Sequence, residues 1–211
     1  MRYIFLSLFF LISLNVYASQ SGPSLVIKSG GVYFHSKNRH LVLLLPNSEN
    51  VNDFLLSPNN KWFVFVKRGR IPIPKSCSGF YDPHYPYGKE IWIINLTTMK
   101  KRLLVENNFS YNHLTKMIID PSDLKFSPDS KTLFFEVSAW DTSDAIHSVN
   151  VDSEHLKYVT DGNDYRVVLN GRYSGDLIVN QHRYHDQGGS YDWDWLFSPS
   201  GKQIKLYKKE D

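Results

Sequence analysis

The sequence has little cysteine, little net charge and few long hydrophobic runs. Cys77 is the only cysteine among 211 residues, so no disulfide can form within the chain and a disulfide-stabilised scaffold is excluded. We expect this thiol to be buried and unreactive. The 24 basic and 21 acidic side chains give a formal net charge of +3. This near-balance argues against nucleic acid as the partner.

The one long apolar run stands at the N-terminus. Ile4–Leu14 is apolar apart from two serines, follows Arg2 and precedes Val16-Tyr17-Ala18. These are the charged, apolar and small-residue regions of a secretory signal peptide. The run is too short for an anchored membrane helix, which needs about 20 residues. We therefore predict a signal peptide over 1–18 and a periplasmic or secreted chain with no membrane anchor after cleavage.

Catalytic motifs are missing as well. The sequence has no Gly-x-Ser-x-Gly, no His-Glu-x-x-His and no phosphate-binding glycine loop. His113 and His147 stand singly, away from any obvious nucleophile. We predict that the chain is not an enzyme and has no catalytic residue, metal site or cofactor. An enzyme that acts on glycan or peptide through carboxylates such as Asp186 and Asp192 stays open as an alternative.

What the sequence does contain is a succession of short runs rich in β-branched, aromatic and aliphatic residues, separated by Asn, Asp, Ser and Gly pairs that favour tight turns. No window has a sustained helical period, and Tyr111–Ile119 is the one candidate for a helical turn. The class is therefore all-β, in one domain over 19–211. The predicted strands are 25–28, 31–35, 41–45, 54–56, 62–67, 91–96, 102–105, 124–126, 132–138, 145–151, 156–160, 165–169, 176–181, 191–197 and 203–208.

A repeat links three of the strand pairs. Each copy reads apolar residue, Ser-Pro, two turn residues, Lys and alternating apolar residues, and the copies lie at Ser57-Pro58, Ser127-Pro128 and Ser198-Pro199. Proline sets the first corner of a turn and the polar pair completes it. A second strand pair follows the first two copies. Four antiparallel strands per unit is the composition of a propeller blade.

Two stretches carry a family resemblance. Phe126-Ser127-Pro128-Asp129 with Lys131, and Ile91-Trp92-Ile93-Ile94-Asn95-Leu96 with Arg102-Leu103, resemble the TolB-type, WD-like β-propeller repeat of bacterial periplasmic proteins. The resemblance covers 52–105 and 122–160. The third Ser-Pro copy could open a blade completed by the N-terminal strands, or form the outer hairpin of a blade built from 164–208.

The chain length limits how many blades are possible. At about 40–45 residues per blade, we expect a small or incomplete β-propeller of about four antiparallel sheets. A twisted β-sandwich is the alternative.

Three segments fall outside the repeat, and we expect function there. A long insertion at 67–89 is aromatic and stiffened by four prolines, and loops of more than about 15 residues are commonly functional. The others are Trp140-Asp141 and 182–195. The predicted partner-binding residues are Phe80, Tyr81, His84, Tyr85, Tyr87, Trp140, Asp141, His185 and Asp186.

The segment 182–195 also carries histidines and alternating acidic and aromatic residues. His182 and His185 should point to opposite faces of a strand, which disfavours a shared metal. In 192–195 we expect the tryptophans to face the core and Asp192 and Asp194 to face solvent.

The predicted function is that of a secreted or periplasmic, non-catalytic, protein-binding propeller. In overall plan the chain resembles periplasmic immunity proteins that neutralise cell-wall-degrading effectors of type VI secretion, although no shared motif carries this resemblance. It implies a tight complex with a secreted effector. Besides the inhibitor and the enzyme, a third possible function is that of an accessory propeller of an envelope complex, as TolB-type domains are.

Overall fold

The described part of the chain folds almost entirely into antiparallel β-sheet. Contacts within the chain divide it into two compact units, residues 1–46 and 47–211. The predicted signal peptide, Cys77, Phe80, Tyr81, His84, Tyr85 and Asp141 lie outside the described residues. Within the described part, no helix is long and apolar enough to cross a membrane. The computed structural model describes residues 23–35, 40–47, 51, 53–72, 74, 87–110, 112–140 and 143–208.

The first unit contains one three-stranded sheet, in which each strand pairs with the next along the chain. Ser29 and Gly30 join the first two strands with φ of 49° and 75°. Such left-handed pairs suit two-residue hairpins because their twist matches that of the strands. The strands are β1 (Ser24–Lys28), β2 (Gly31–His35) and β3 (Leu41–Leu45).

The second unit contains three four-stranded sheets, each again in chain order. With the first unit this makes four antiparallel sheets among the described residues, which confirms the predicted fold class. A 3₁₀ turn at Leu114–Lys116 falls within the predicted helical turn. Sheet II is β4 (Asp53–Leu56), β5 (Trp62–Pro72), β6 (Tyr87–Asn95) and β7 (Lys100–Val105); sheet III is β8 (Ser122–Phe126), β9 (Thr132–Ser138), β10 (Asp144–Asn150) and β11 (Leu156–Gly162); sheet IV is β12 (Asp164–Val167), β13 (Leu177–Tyr184), β14 (Ser190–Phe197) and β15 (Gln203–Lys208).

The three sheets of the second unit pack as successive blades. The first strand of sheet III, β8, contacts the first strands of both neighbours, β4 and β12. Phe135 packs with Val64 and Ile93 of sheet II, whereas the adjacent Phe134 packs with Val179 of sheet IV. Both faces of β9 are therefore buried, which explains its continuous apolar sequence. This is the packing of propeller blades and not of the two-layered sandwich.

The three Ser-Pro turns share their local chemistry. The backbone N–H of Trp62 and that of Thr132 donate to Ser57 Oγ and Ser127 Oγ at 3.0 and 2.9 Å. Lys202 N–H donates to Ser198 Oγ at 3.1 Å in the same way. The third residue after each serine has a positive φ, which is 56° at Asn60, 62° at Ser130 and 87° at Gly201.

The third turn differs in its position within the sheet. Ser57 and Ser127 lie between the first and second strands of their sheets, whereas Ser198 lies between the third and fourth strands of sheet IV. Of the two arrangements open from the sequence, the outer hairpin of a blade built from 164–208 is the one adopted.

Strand direction gives the unit two distinct ends. First and third strands run the same way, so all three Ser-Pro turns lie at one end, which we call the turn end. The second strands end and the third strands begin at the opposite end, which we call the loop end. At the turn end Asn59 N–H donates to Ser130 Oγ across two sheets at 3.0 Å, and at the loop end Gln181 Nε2 donates to Thr160 Oγ1 at 2.8 Å. The described residues between the second and third strands are 74, 139, 140, 143 and 185–189.

Candidate functional site

All three segments that the sequence singles out include described residues at the loop end. Each segment falls in the part of the chain where the second strand of its own sheet ends and the third begins. Tyr87 is the first residue of β6, Trp140 follows β9, and His185 and Asp186 follow β13. The sequence did not reveal this equivalence, although counting strands within each repeat would have found it. The role of these residues in binding a partner stays a prediction.

Near the loop end of sheet II, an arginine side chain lies on an aromatic ring. The strands run further into the predicted insertion than expected, because Arg68 pairs with Lys89 and Pro72 pairs with Tyr87. The Arg68 guanidinium lies 3.9 Å from the centre of the Tyr87 ring. Such contacts fix the orientation of both side chains. The base of the long connection is therefore an ordered ribbon over residues 67–72 and 87–89.

A cavity of about 350 Å³ lies beside this ribbon. Lys89 Nζ and Asp120 Oδ1 form an ion pair of 2.7 Å at its wall, and Lys89 N–H donates to the carbonyl of Ile119 at 2.6 Å. The sequence could not predict this cavity because its residues come from five separate parts of the chain. They are Asp53, Val66, Lys89, Asp120, Pro121, Ser122 and Ser138.

Sheet III contributes a carboxyl group in an unfavourable environment. Burial, together with the carboxylates of Asp123 and Asp144, raises the pKa of Glu136 from 4.5 to about 7. Lys125 lowers this pKa only in part, because its ammonium group is bound to Asp123 and to the carbonyl oxygen of Tyr165. Glu136 thus holds a proton in a large share of molecules near neutral pH.

Near the loop end of sheet IV, His182 and His185 lie on opposite faces of the sheet. His182 Nδ1 is 2.9 Å from Asp192 Oδ1, whereas the His185 ring contacts Tyr191 at 4.5 Å between centroids. This is the expected result of alternation along an extended strand. Among the residues that the structure describes, no three His, Cys, Asp or Glu side chains are grouped to hold a metal ion.

A row of aromatic rings runs along β14 from the loop end towards the core. Tyr191 and Trp193 have centroids 4.1 Å apart, and Trp193 and Trp195 are 6.3 Å apart. The Arg183 guanidinium lies 4.0 Å from the Trp195 ring centre. Trp195 packs against the core between sheets III and IV, as expected.

Asp194 corrects one sequence expectation. Asp192 is exposed, but Asp194 is only 7% exposed and does not face solvent. Arg166 Nη2 and Asn180 Nδ2 each donate to its carboxylate at 3.2 Å. A buried carboxylate is tolerated here because a cation and an amide replace its hydration. The alternation in sequence was correct, but it could not show that donors from β12 and β13 cover this face.

Comparison with known proteins supports the fold. No family model and no curated protein matches the sequence. Among solved structures, dipeptidyl peptidase 4 from Porphyromonas gingivalis is similar with a TM-score of 0.60 and 10% identity, over 89% of this chain and 31% of that one. The β-propeller domain of the trilobed protease from Pyrococcus furiosus, which has an open velcro topology, gives 0.51 and 14%, over 85% of this chain and 49% of that one.

TolB from Acinetobacter baumannii is also similar, with a TM-score of 0.45 and 16% identity, over 85% of this chain and 38% of that one. That score is too low to place the chain nearer to TolB than to the peptidase propellers. At these identities the comparisons establish a propeller-type fold alone. The chain spans between about a third and a half of the length of these three proteins.

Proposed function

We propose that the chain is a secreted, non-catalytic binding protein that docks another protein through the loop end of its second unit. The observation that supports this most directly is that three segments of dissimilar sequence start and finish at the same end of three successive sheets. Loops that a rigid scaffold holds side by side are a common protein-binding arrangement. At the opposite end, the Ser-Pro turns direct their polar atoms to one another.

The side chains at the loop end have the chemistry of an interface. Trp140 and Tyr184 are 38% and 69% exposed, and Arg68 and Arg183 are laid on aromatic rings. Tryptophan, tyrosine and arginine dominate the binding energy of protein interfaces. Because the stacked groups are already ordered, they lose little conformational entropy when a partner binds.

The partner we propose is a secreted effector that degrades the cell wall, which this chain would block. The predicted signal peptide would deliver the chain to the compartment where such an effector acts. An inhibitor needs a stable surface and no chemistry of its own, which agrees with the missing catalytic motifs. The proposal predicts a tight one-to-one complex.

The test is capture of the partner by the tagged chain from the periplasm of the native host. A loop-end variant combines Trp140→Ala, His185→Ala and Asp186→Asn. Its control at the turn end combines Leu156→Ala, His155→Ala and Asp152→Asn, since Leu156 is 40% exposed and thus matches Trp140. We expect the loop-end variant to lose about a hundredfold in affinity and the control to bind normally. Capture of no stoichiometric protein, or equal binding by both variants, would refute the proposal.

Two other outcomes would redirect the assignment. Recovery of outer-membrane components in place of an effector would favour an accessory role in an envelope complex. Turnover of peptidoglycan, glycan or peptide substrates that Asp186→Asn abolishes would replace the binding function with an enzymatic one. Both assays use the same purified protein.

A further inference from the structure

A second cavity at the loop end has walls suited to a cation. Its volume is about 290 Å³, and it lies where the connection after β9 meets β11 and β13. We call it the Trp140 cavity. It is lined by Trp140, Ser143, Tyr158, Asp161 and His182.

Two aromatic rings form its apolar walls. The Trp140 and Tyr158 centroids are 6.5 Å apart, with ring planes at 68°. The turn that carries Trp140 is closed by a 2.9 Å hydrogen bond from its backbone N–H to the carbonyl of Ser143. With 38% of its surface exposed, Trp140 leaves part of its ring accessible from solvent.

Tyr158 is held in place by the sheet behind it. Its ring meets the edge of the buried His147 ring at 5.8 Å, and His147 is stacked on Phe135 at 5.4 Å. Both His147 nitrogens contact backbone carbonyls, those of Ala145 and Thr115. Burial raises the pKa of Tyr158 to about 12, so this wall is a neutral phenol at physiological pH.

Asp161 gives the cavity its negative charge. Its Oδ1 accepts hydrogen bonds from Gln181 Nε2 and Thr160 Oγ1 at 3.3 and 3.4 Å. None of the ion pairs within the described part of the chain involves Asp161. His182 directs its Nδ1 to Asp192. A half-buried carboxylate that lines a cavity together with two aromatic rings repels anions and disfavours neutral apolar groups, whereas it attracts cations.

On the basis of the protein-docking function proposed above, we propose that the Trp140 cavity receives a lysine or arginine side chain of the partner. The aromatic walls bind the cation and the alkyl stem, and the Asp161 carboxylate provides the counter-charge. A single basic side chain is of a size that about 290 Å³ accommodates. The structure thus assigns to the loop end a specificity for a protruding basic residue.

The experiment titrates the ¹⁵N-labelled chain with Nα-acetyl-lysine methylamide, Nα-acetyl-arginine methylamide and the neutral Nα-acetyl-norleucine methylamide. The readout is the Trp140 indole N–H resonance, assigned with Trp140→Phe. We expect saturable shifts with the two cationic probes and none with the neutral one. Asp161→Asn should weaken binding about tenfold, because one counter-charge is lost. Tyr158→Phe keeps the ring and should bind as the native chain does.

Asp152→Asn at the turn end is the matched charge control and should leave the titration unchanged. Equal shifts with the norleucine probe, no shift with the cationic probes, or an unchanged affinity in a folded Asp161→Asn variant would overturn the inference. Partner capture separates the two proposals. If a partner binds Asp161→Asn at full strength, docking stands and the cation site fails. If the probes bind but no partner is captured, the cation site stands and docking fails.

Discussion

The two ends of the second unit place carboxyl groups in opposite electrostatic environments. At the turn end, Ser127 donates to Asp129 Oδ1 at 2.6 Å, and this hydrogen bond lowers the pKa of Asp129. At the loop end, burial and neighbouring carboxylates raise the pKa of Glu136 to about 7. One carboxylate is stabilised by its surroundings and the other is destabilised. The repeated end is organised for folding, whereas the varied end keeps a carboxyl group whose charged form is disfavoured by its surroundings.

The largest effect expected from this comparison concerns two glycines with nearly the same backbone conformation. Gly201 at the turn end and Gly188 at the loop end have φ of 87° and 91°. A Cβ on Gly201 would lie 2.5 Å from the carbonyl oxygen of Val159, whereas one on Gly188 meets nothing within 4 Å. Gly201→Ala should lower the free energy of unfolding by about 3 kcal/mol, and Gly188→Ala by about 1 kcal/mol. Urea denaturation measures both, and equal losses would contradict the distinction between the ends.

A smaller effect is expected from the turn serines. Ser127→Ala removes two hydrogen bonds around a residue that is 5% exposed. We expect a loss of about 1–2 kcal/mol in unfolding free energy. Ser190→Ala, an exposed serine at the loop end, is the matched control and should change stability by less than about 0.5 kcal/mol. An unchanged unfolding free energy in Ser127→Ala would show that the stability of the turn end does not depend on these hydrogen bonds.

The pH dependence should follow from Glu136. Its folded pKa lies above its ordinary value of 4.5, so the folded state retains the proton and loses stability as pH rises from about 4.5 to about 7. Glu136→Gln removes this loss. The variant should exceed the native chain in unfolding free energy by about 1 kcal/mol at pH 8 after solvent screening, with little difference at pH 4.5. Thermal melts of both proteins at pH 8 and pH 4.5 measure this. If Glu136→Gln differed from the native chain by the same amount at both pH values, ionisation of Glu136 would not be the cause.

The smallest effect on stability should accompany a large effect on binding. Asp186→Asn changes an exposed side chain at the loop end, and we expect less than about 0.5 kcal/mol in unfolding free energy. Calorimetric melting measures the stability, and capture of the partner measures the binding. A strongly destabilised Asp186→Asn would mean that the loop end serves folding as much as the turn end does.

Much of the fold could be predicted because its causes are local. Alternating apolar residues and turn pairs defined the strands, since a strand such as Thr132–Ser138 needs only its own composition to be recognised. The Ser-Pro motif likewise predicted each turn correctly, because its hydrogen bonds join residues within five positions of each other. It could not reveal which pair of strands the turn joins in sheet IV, because the same motif serves the first hairpin of sheets II and III and the last hairpin of sheet IV.

The candidate site was less accessible to sequence reasoning for a related reason. Trp140 and Asp186 were singled out because they interrupt a repeat, and position in the chain suffices for that. The Trp140 cavity needs Asp161 and His182 from separate strands, and the burial of Asp194 needs Arg166 and Asn180. Such groupings arise from strand register, which no single segment specifies.

The displaced Ser-Pro turn of sheet IV has a consequence for how this architecture is assembled. The motif occupies the first hairpin in sheets II and III and the last hairpin in sheet IV, so it is two strands out of phase with the blade. The unit that carries the Ser-Pro motif is therefore the two-stranded hairpin and not the four-stranded sheet. A hairpin that carries its own turn chemistry can be gained, lost or moved without redesign of the turn.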